Sequence, residues 1–128
     1  MAEDVFYTDE DFNADEKTLW KGYRRILGIK DFFTKYTITN KRIIVESGVL
    51  RYTSEEVMLF RVNDLSLRKG ILERAVSCGT VVVRSSDKNS PILNIGSIRD
   101  SEKVRNLLSH QVEIARKEAR VRNTEFSM

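Results

Sequence analysis

The sequence predicts a mostly β domain of about seven short strands followed by one C-terminal amphipathic helix. A sheet that small must close or pack on itself to hide its apolar face. Three observations carry this. From Lys17 to Ile98 the segments are short, rich in β-branched residues and separated by turn residues. The chain has a single proline, Pro91, so few positions forbid sheet hydrogen bonds. After Ile98 the apolar period changes, with Val104, Leu107, Leu108, Val112 and Ala115 recurring at three- and four-residue spacing.

The elements follow in order. Lys17–Tyr23 places Leu19 and Trp20 on opposite faces of a first strand, and 24–31 is ambiguous, with a turn at Gly28. Phe33–Thr39 alternates as a strand, Asn40-Lys41 reads as a tight turn because Asn tolerates positive φ, and Arg42–Ser47 continues to Gly48. Thr53–Phe60 and Val62–Lys69 are two further strands, broken near Arg61 or Val62. Gly79–Ser86, built around Thr80-Val81-Val82-Val83, is the clearest strand of all. Asp87–Ser90 is a turn cluster, and Pro91–Ile95 a short strand with its proline at the tolerated first position. The helix is expected from about Asp100 to about Arg120, started by Ser97 or Asp100, with Glu102 near its positive end and Arg116, Lys117, Arg120 and Arg122 near its negative end.

Composition bounds the function. The 128 residues, 41% hydrophobic and 32% charged, suffice for one domain with a core. The longest uncharged apolar runs are about five residues, against the ~20 a membrane span needs. The acidic N-terminus lacks the apolar segment of a secretory signal. One cysteine, Cys78, forms neither an internal disulfide nor a zinc site, and one histidine, His110, leaves little for nucleophile–base catalysis. The net charge of +3 is unevenly placed: residues 1–17 hold seven acids and one base, and the rest holds 21 bases and 12 acids. We therefore expect an acidic arm over 1–16, a domain over 17–118 and a basic tail over 119–128. Asp9, Asp11 and Asn13 have the alternate spacing of a calcium loop, but neither register supplies both the Gly at the sixth position and the Glu at the twelfth. No metal or cofactor is expected.

The segment Tyr36-Thr37-Ile38-Thr39-Asn40-Lys41-Arg42-Ile43-Ile44 resembles the hairpin "Y-x-x-T-N/D-x-R-hydrophobic" of bacterial pleckstrin-homology-like (PH-like) domains. Glu56–Leu65 is similar to their "E-I-x-L-x-R-I-x-D-hydrophobic" segment, and Gly79–Val83 to their "G-T-hydrophobic-x-hydrophobic" strand. Leu93–Ile95 and Val104–Leu107 fit the last strand and the helix, so the likeness runs from Lys17 to Glu113 with its segments in order. The resemblance implies a split β-barrel capped by one helix. Many members flank membrane spans; this chain shows none, which favours a free-standing module.

Candidate binding residues are cations. Arg24, Arg25, Lys41 and Arg42, with Lys35, are placed to collect an anionic headgroup, since Arg presents a fork of donors to phosphate. Relatives of the fold bind phosphoinositides through an early strand–loop–strand unit, but their basic pattern is not cleanly present. Set against this reading is plain turn chemistry with solvated charge. The connection 68–76 places Ile71, Leu72, Ala75 and Val76 between Arg68, Lys69 and Arg74. It reads either as an apolar tip with basic shoulders for an anionic bilayer or as a helical turn packed on the barrel end. The run Arg116–Arg122 reads as solvated charge, because Tyr23, Phe32, Phe33 and Tyr36 follow strand spacing and fit the core or cross-strand pairs rather than a nucleic-acid platform. Trp20 is a buried or half-buried anchor. No phosphate loop, dinucleotide fingerprint or nucleophile elbow occurs. The expectation is a non-catalytic cytoplasmic module binding a protein partner or a second copy of itself. The alternative is weak attachment to an anionic surface at the inner membrane face, and no nucleic-acid partner is expected.

Overall fold

The computed structural model of the protein describes residues 16–26 and 29–126, with the backbone alone for Lys30 and 123–126. The expected acidic arm up to residue 15, its calcium-like spacing and the turn at Gly28 lie outside the described residues.

Among the described residues, seven strands form two antiparallel sheets. The first holds β1 (Thr18–Ile26), β2 (Ile29–Thr39), β3 (Arg42–Ser47) and β4 (Thr53–Met58) in that order. A 3-10 turn, Leu59–Arg61, leads to the second sheet, made of β5 (Val62–Arg68), β6 (Cys78–Ser85) and β7 (Ile92–Arg99). A short helix α1 (Ile71–Ala75) joins β5 to β6, and a long helix α2 (Ser101–Phe126) ends the described chain. The sheets do not merge into one closed ladder, so this is a split barrel capped by a helix, as the sequence predicts.

The core forms where the period-two faces of both sheets meet the helix. Tyr36, Ile38, Ile43 and Val57 come from the first sheet, Val62, Val81, Val83, Leu93, Ile95 and Ile98 from the second, and Val104, Leu108 and Val112 from α2. Trp20 packs against this core half-buried, and a Cβ on Gly22 would collide with its indole. The sheets are also joined by Tyr36, whose hydroxyl donates to the Gly96 carbonyl and accepts from the Gly96 amide at 3.2 Å.

Several expectations need correction. The β2–β3 turn does not use positive φ at Asn40, because among the described residues only Ser77, Asp100 and Gly48 have it. Instead the Thr39 hydroxyl accepts from the Lys41 and Arg42 amides, each at 3.0 Å, and Asn40 Oδ1 accepts from the Lys17 amide at 2.7 Å. α2 runs past Arg120 to Phe126, so 119–126 continue the helix; no Gly or Pro interrupts it. β7 extends to Arg99 rather than stopping at Ile95.

Phe32 and Phe33 do not join the core. Tyr23 pairs with Lys35 and Arg25 with Lys30, so two steps along β1 are matched by five along β2. The surplus is a wide bulge. Asp31 turns inward there, accepting from the Phe33 amide at 2.9 Å and from Arg24 Nε at 2.9 Å, while both phenyl rings are left exposed. The amide donated by Phe33, together with Arg24, holds the Asp31 carboxyl below the ordinary carboxylate range against the opposing effect of burial.

Candidate functional site

The cations singled out in the sequence do not converge. Lys41 and Arg42 sit at the end of the first sheet where Thr18 faces Thr39, and Arg24 and Arg25 sit at the other end, where Arg25 faces Lys30. The ladder between them spans about 23 Å at ~3.3 Å per residue. Arg42 is committed locally: its Nη1 donates to Glu56 Oε1 at 3.0 Å, and its Nε lies 3.0 Å from Glu16 Oε2 without hydrogen-bond alignment. The Glu56 hydrogen bond, with the Glu16 charge, raises the pKa of the guanidinium despite partial burial. Arg24 is paired with Asp31. The Lys41–Arg42 end of the sheet is fold chemistry.

The first-hairpin end carrying Arg24 and Arg25 is different. Ile26, Ile29, Phe32 and Phe33 are all exposed there, Phe32 to 71%. The Phe33 carbonyl accepts from the Gly48 amide at 3.1 Å, which brings the β3–β4 turn alongside. Gly48 has φ 152°, and a Cβ there would strike the Arg51 carbonyl and the Tyr52 backbone, so only glycine admits this turn. The turn presents Val49, Leu50 and Tyr52, with Leu50 100% exposed. Tyr23 and Phe32 pack with tilted rings across β1 and β2, their centroids 5.7 Å apart. Arg25, Lys35 and Arg51 supply positive charge here, Arg24 and Asp31 offset each other, and Glu46 accepts from the Tyr52 hydroxyl at 2.6 Å. Two neighbouring hairpin ends thus carry seven large exposed apolar or aromatic side chains within a cationic surround.

The sequence held a signal for this surface. Val49 and Leu50 follow a glycine in a turn, where polar residues are usual, and Phe32-Phe33 is a consecutive pair that an alternating strand cannot bury on one face.

The second predicted group does assemble. Arg68 ends β5, Lys69 pairs with Glu102 of α2 at 2.8 Å, and Arg74 lies on α1. The 70–76 connection is helical, yet its apolar side does not pack on the barrel: Ile71 is 87% and Leu72 67% exposed, and only Val76 is half-buried. Of the remaining candidates, Cys78 is buried, His110 is exposed on α2 and Arg116–Arg122 lies on the exposed end of that helix. Among the described residues, no group of three or more His, Cys, Asp or Glu is placed to hold a metal ion, and no helix is long and apolar enough to cross a membrane.

A family model described as Bacterial PH domain matches residues 23–112, from the last four residues of β1 through the core-facing half of α2. The chain belongs to this family. A search of curated proteins finds no match. PH domains are in general binding or scaffolding modules, without catalytic activity, that contact proteins or lipids; membership therefore gives the class of function, and the surfaces of this Bacterial PH domain must supply the partner.

Proposed function

We propose that this PH domain docks reversibly on an anionic membrane surface through the exposed β1–β2 and β3–β4 ends of its first sheet. The observation that carries the reading is the cluster around Phe32 and Leu50. Large apolar side chains stand in water on adjacent tips beside Arg25, Lys35 and Arg51, while Asp31 is paired with Arg24. A soluble surface rarely keeps so large an apolar cluster without a use for it. Burying a large apolar side chain contributes about 1.5–3 kcal/mol, and a Lys or Arg beside an anionic leaflet about 1 kcal/mol. Three inserted side chains and three cations, Arg25, Lys35 and Arg51, give roughly 8–12 kcal/mol before losses of translational and rotational freedom, which corresponds to weak, switchable attachment.

The reading keeps Arg24 and Arg25 from the cations picked out in the sequence and drops Lys41 and Arg42, which lie at the far end of the sheet. It treats residues 1–16 as an acidic arm that opposes anionic surfaces. The test is co-sedimentation of the protein with vesicles of phosphatidylserine and phosphatidylcholine, against phosphatidylcholine alone, over a salt series. Salt-sensitive binding to the anionic vesicles supports the reading, and its absence sinks it. Self-association through the same end is the second reading, favoured by the complete exposure of Leu50. Sedimentation velocity without lipid decides it: oligomers that a Leu50→Asp substitution disperses support it, and a strict monomer at high concentration excludes it.

A further inference from the structure

Helix α1 is amphipathic in the reverse sense. An ordinary short surface helix turns its apolar side to the protein and its charges to water. Here Glu73 points inward: its Oε1 accepts from the Gly70 amide at 3.0 Å and its Oε2 from the Thr80 hydroxyl at 2.8 Å. Burial alone would raise the Glu73 pKa, but these donors, with Ser97 and the Arg68 charge, outweigh it and hold the carboxyl ionised below its ordinary range. The helix is thus fastened by its charged residue, and Ile71 and Leu72 are turned outward.

Beside this apolar ridge lies an open pocket of about 400 Å³, walled by Lys69, Arg74, Ser77 and Cys78 on one side and by Asp100 to Lys103 on the other. Segments 68–74 and 99–105 together carry six bases (Arg68, Lys69, Arg74, Arg99, Lys103, Arg105) and three acids (Glu73, Asp100, Glu102). Two of the acids are engaged, Glu73 internally and Glu102 by Lys69.

We propose that α1 and this pocket form a docking site for an acidic protein segment carrying a large apolar side chain. The apolar residue rests on Ile71 and Leu72, and flanking carboxylates meet Arg68, Arg74 and Lys103. The charge balance selects an acidic occupant, and the concavity selects a polypeptide: a side chain enters a polar-walled pocket, whereas a bilayer surface cannot follow it. The site belongs to the second sheet and uses none of the residues assigned to membrane docking, so the two proposals stand or fall separately.

The test is an NMR titration of the full chain with a synthetic peptide of Asp and Glu residues surrounding a Phe-Leu pair. Two control peptides carry Lys in place of the acids, or Ala in place of Phe-Leu. The expected result is amide shifts over 69–78 and 100–103 with the acidic apolar peptide and far weaker shifts with either control. The double substitution Ile71→Glu, Leu72→Glu is expected to weaken binding by about tenfold or more, the scale set by losing one well-buried apolar contact. Both side chains are exposed, so an unchanged spectrum elsewhere and an unchanged melting temperature show that the fold is kept. The proposal is overturned if the α1 amides stay unmoved at millimolar peptide, if the Lys peptide moves them equally, or if they respond to anionic vesicles but not to peptide.

Discussion

Replacing Tyr36 by Phe removes one oxygen atom from the junction between the two sheets. The ring is 3% exposed, so its packing and apolar burial survive the change. The loss falls on Gly96. Residues Gly79 and Val81 of β6 pair with Ile98 and Ile95, a register shift that leaves Gly96 in an irregular stretch of the ladder. Its carbonyl and amide both turn to the Tyr36 hydroxyl instead. Without that hydroxyl two backbone groups lose a partner, each worth about 1–3 kcal/mol when buried. Gly96 is only half-buried, so water recovers part of the cost. We therefore expect a destabilisation of about 2 kcal/mol, and a fall in melting temperature of roughly 8 °C for a domain of this size. Urea and thermal unfolding followed by circular dichroism measure it, and faster amide exchange at Gly96 is expected alongside. A loss below about 0.3 kcal/mol, smaller than a typical single hydrogen bond, would refute the claim that this hydroxyl ties the sheets together.

Three further outcomes are expected. Leu50→Asp should leave the melting temperature unchanged and lower affinity for phosphatidylserine vesicles by about 10- to 100-fold, since a whole exposed Leu is worth about 1.5–3 kcal/mol on insertion; unchanged vesicle affinity would remove the β3–β4 turn from the docking surface. Neutralising Asp9, Glu10 and Asp11 to Asn, Gln and Asn raises the net charge from +3 to +6 and should strengthen vesicle binding at low salt, the effect fading as salt screens it; equal affinity at low salt would make the arm a passive leader. Because the folded Glu73 pKa is depressed, its contribution is present above the ordinary Glu value of about 4.3 and is lost as pH falls through the lower folded value. Amides of α1 should therefore lose protection relative to their intrinsic exchange rates in that acid window, Glu73→Gln should show the same loosening at neutral pH, and exchange in Glu73→Gln equal to wild type at neutral pH would show that α1 is held by something else.

How far the sequence could be read differs from element to element for physical reasons. Arg42–Ser47 is legible to the residue, because alternation between a hydroxyl-bearing turn and a glycine leaves one register. The helix stripe of Val104, Leu108 and Val112 is legible because three- and four-residue spacing admits only one buried face. The bulge of β2 is not, since it depends on Asp31 taking the Phe33 amide out of the ladder, an event that alternation cannot report. The direction of α1 is hidden for a similar reason. Composition places Ile71 and Leu72 on a helical turn, but a long-range contact, the Thr80 hydroxyl of β6, helps hold Glu73 inward and so turns them out. Each candidate cation is visible in the sequence by itself, but which of them share an end of the sheet depends on strand register, a long-range property.

Cys78, beside α1, is also a natural reporter of strand opening. It is the single cysteine of the chain, 1% exposed where β6 begins, with its thiol directed to the Val76 carbonyl at 3.6 Å. A thiol reagent can reach it only when the strand opens, so its labelling rate is a clock for that opening, readable at natural sequence. The same silence is useful elsewhere: a cysteine introduced at position 50 or 71 would be modified selectively in the folded protein, letting a solvent-sensitive dye report separately on the hairpin tip and on the reversed helix while the native thiol stays dark.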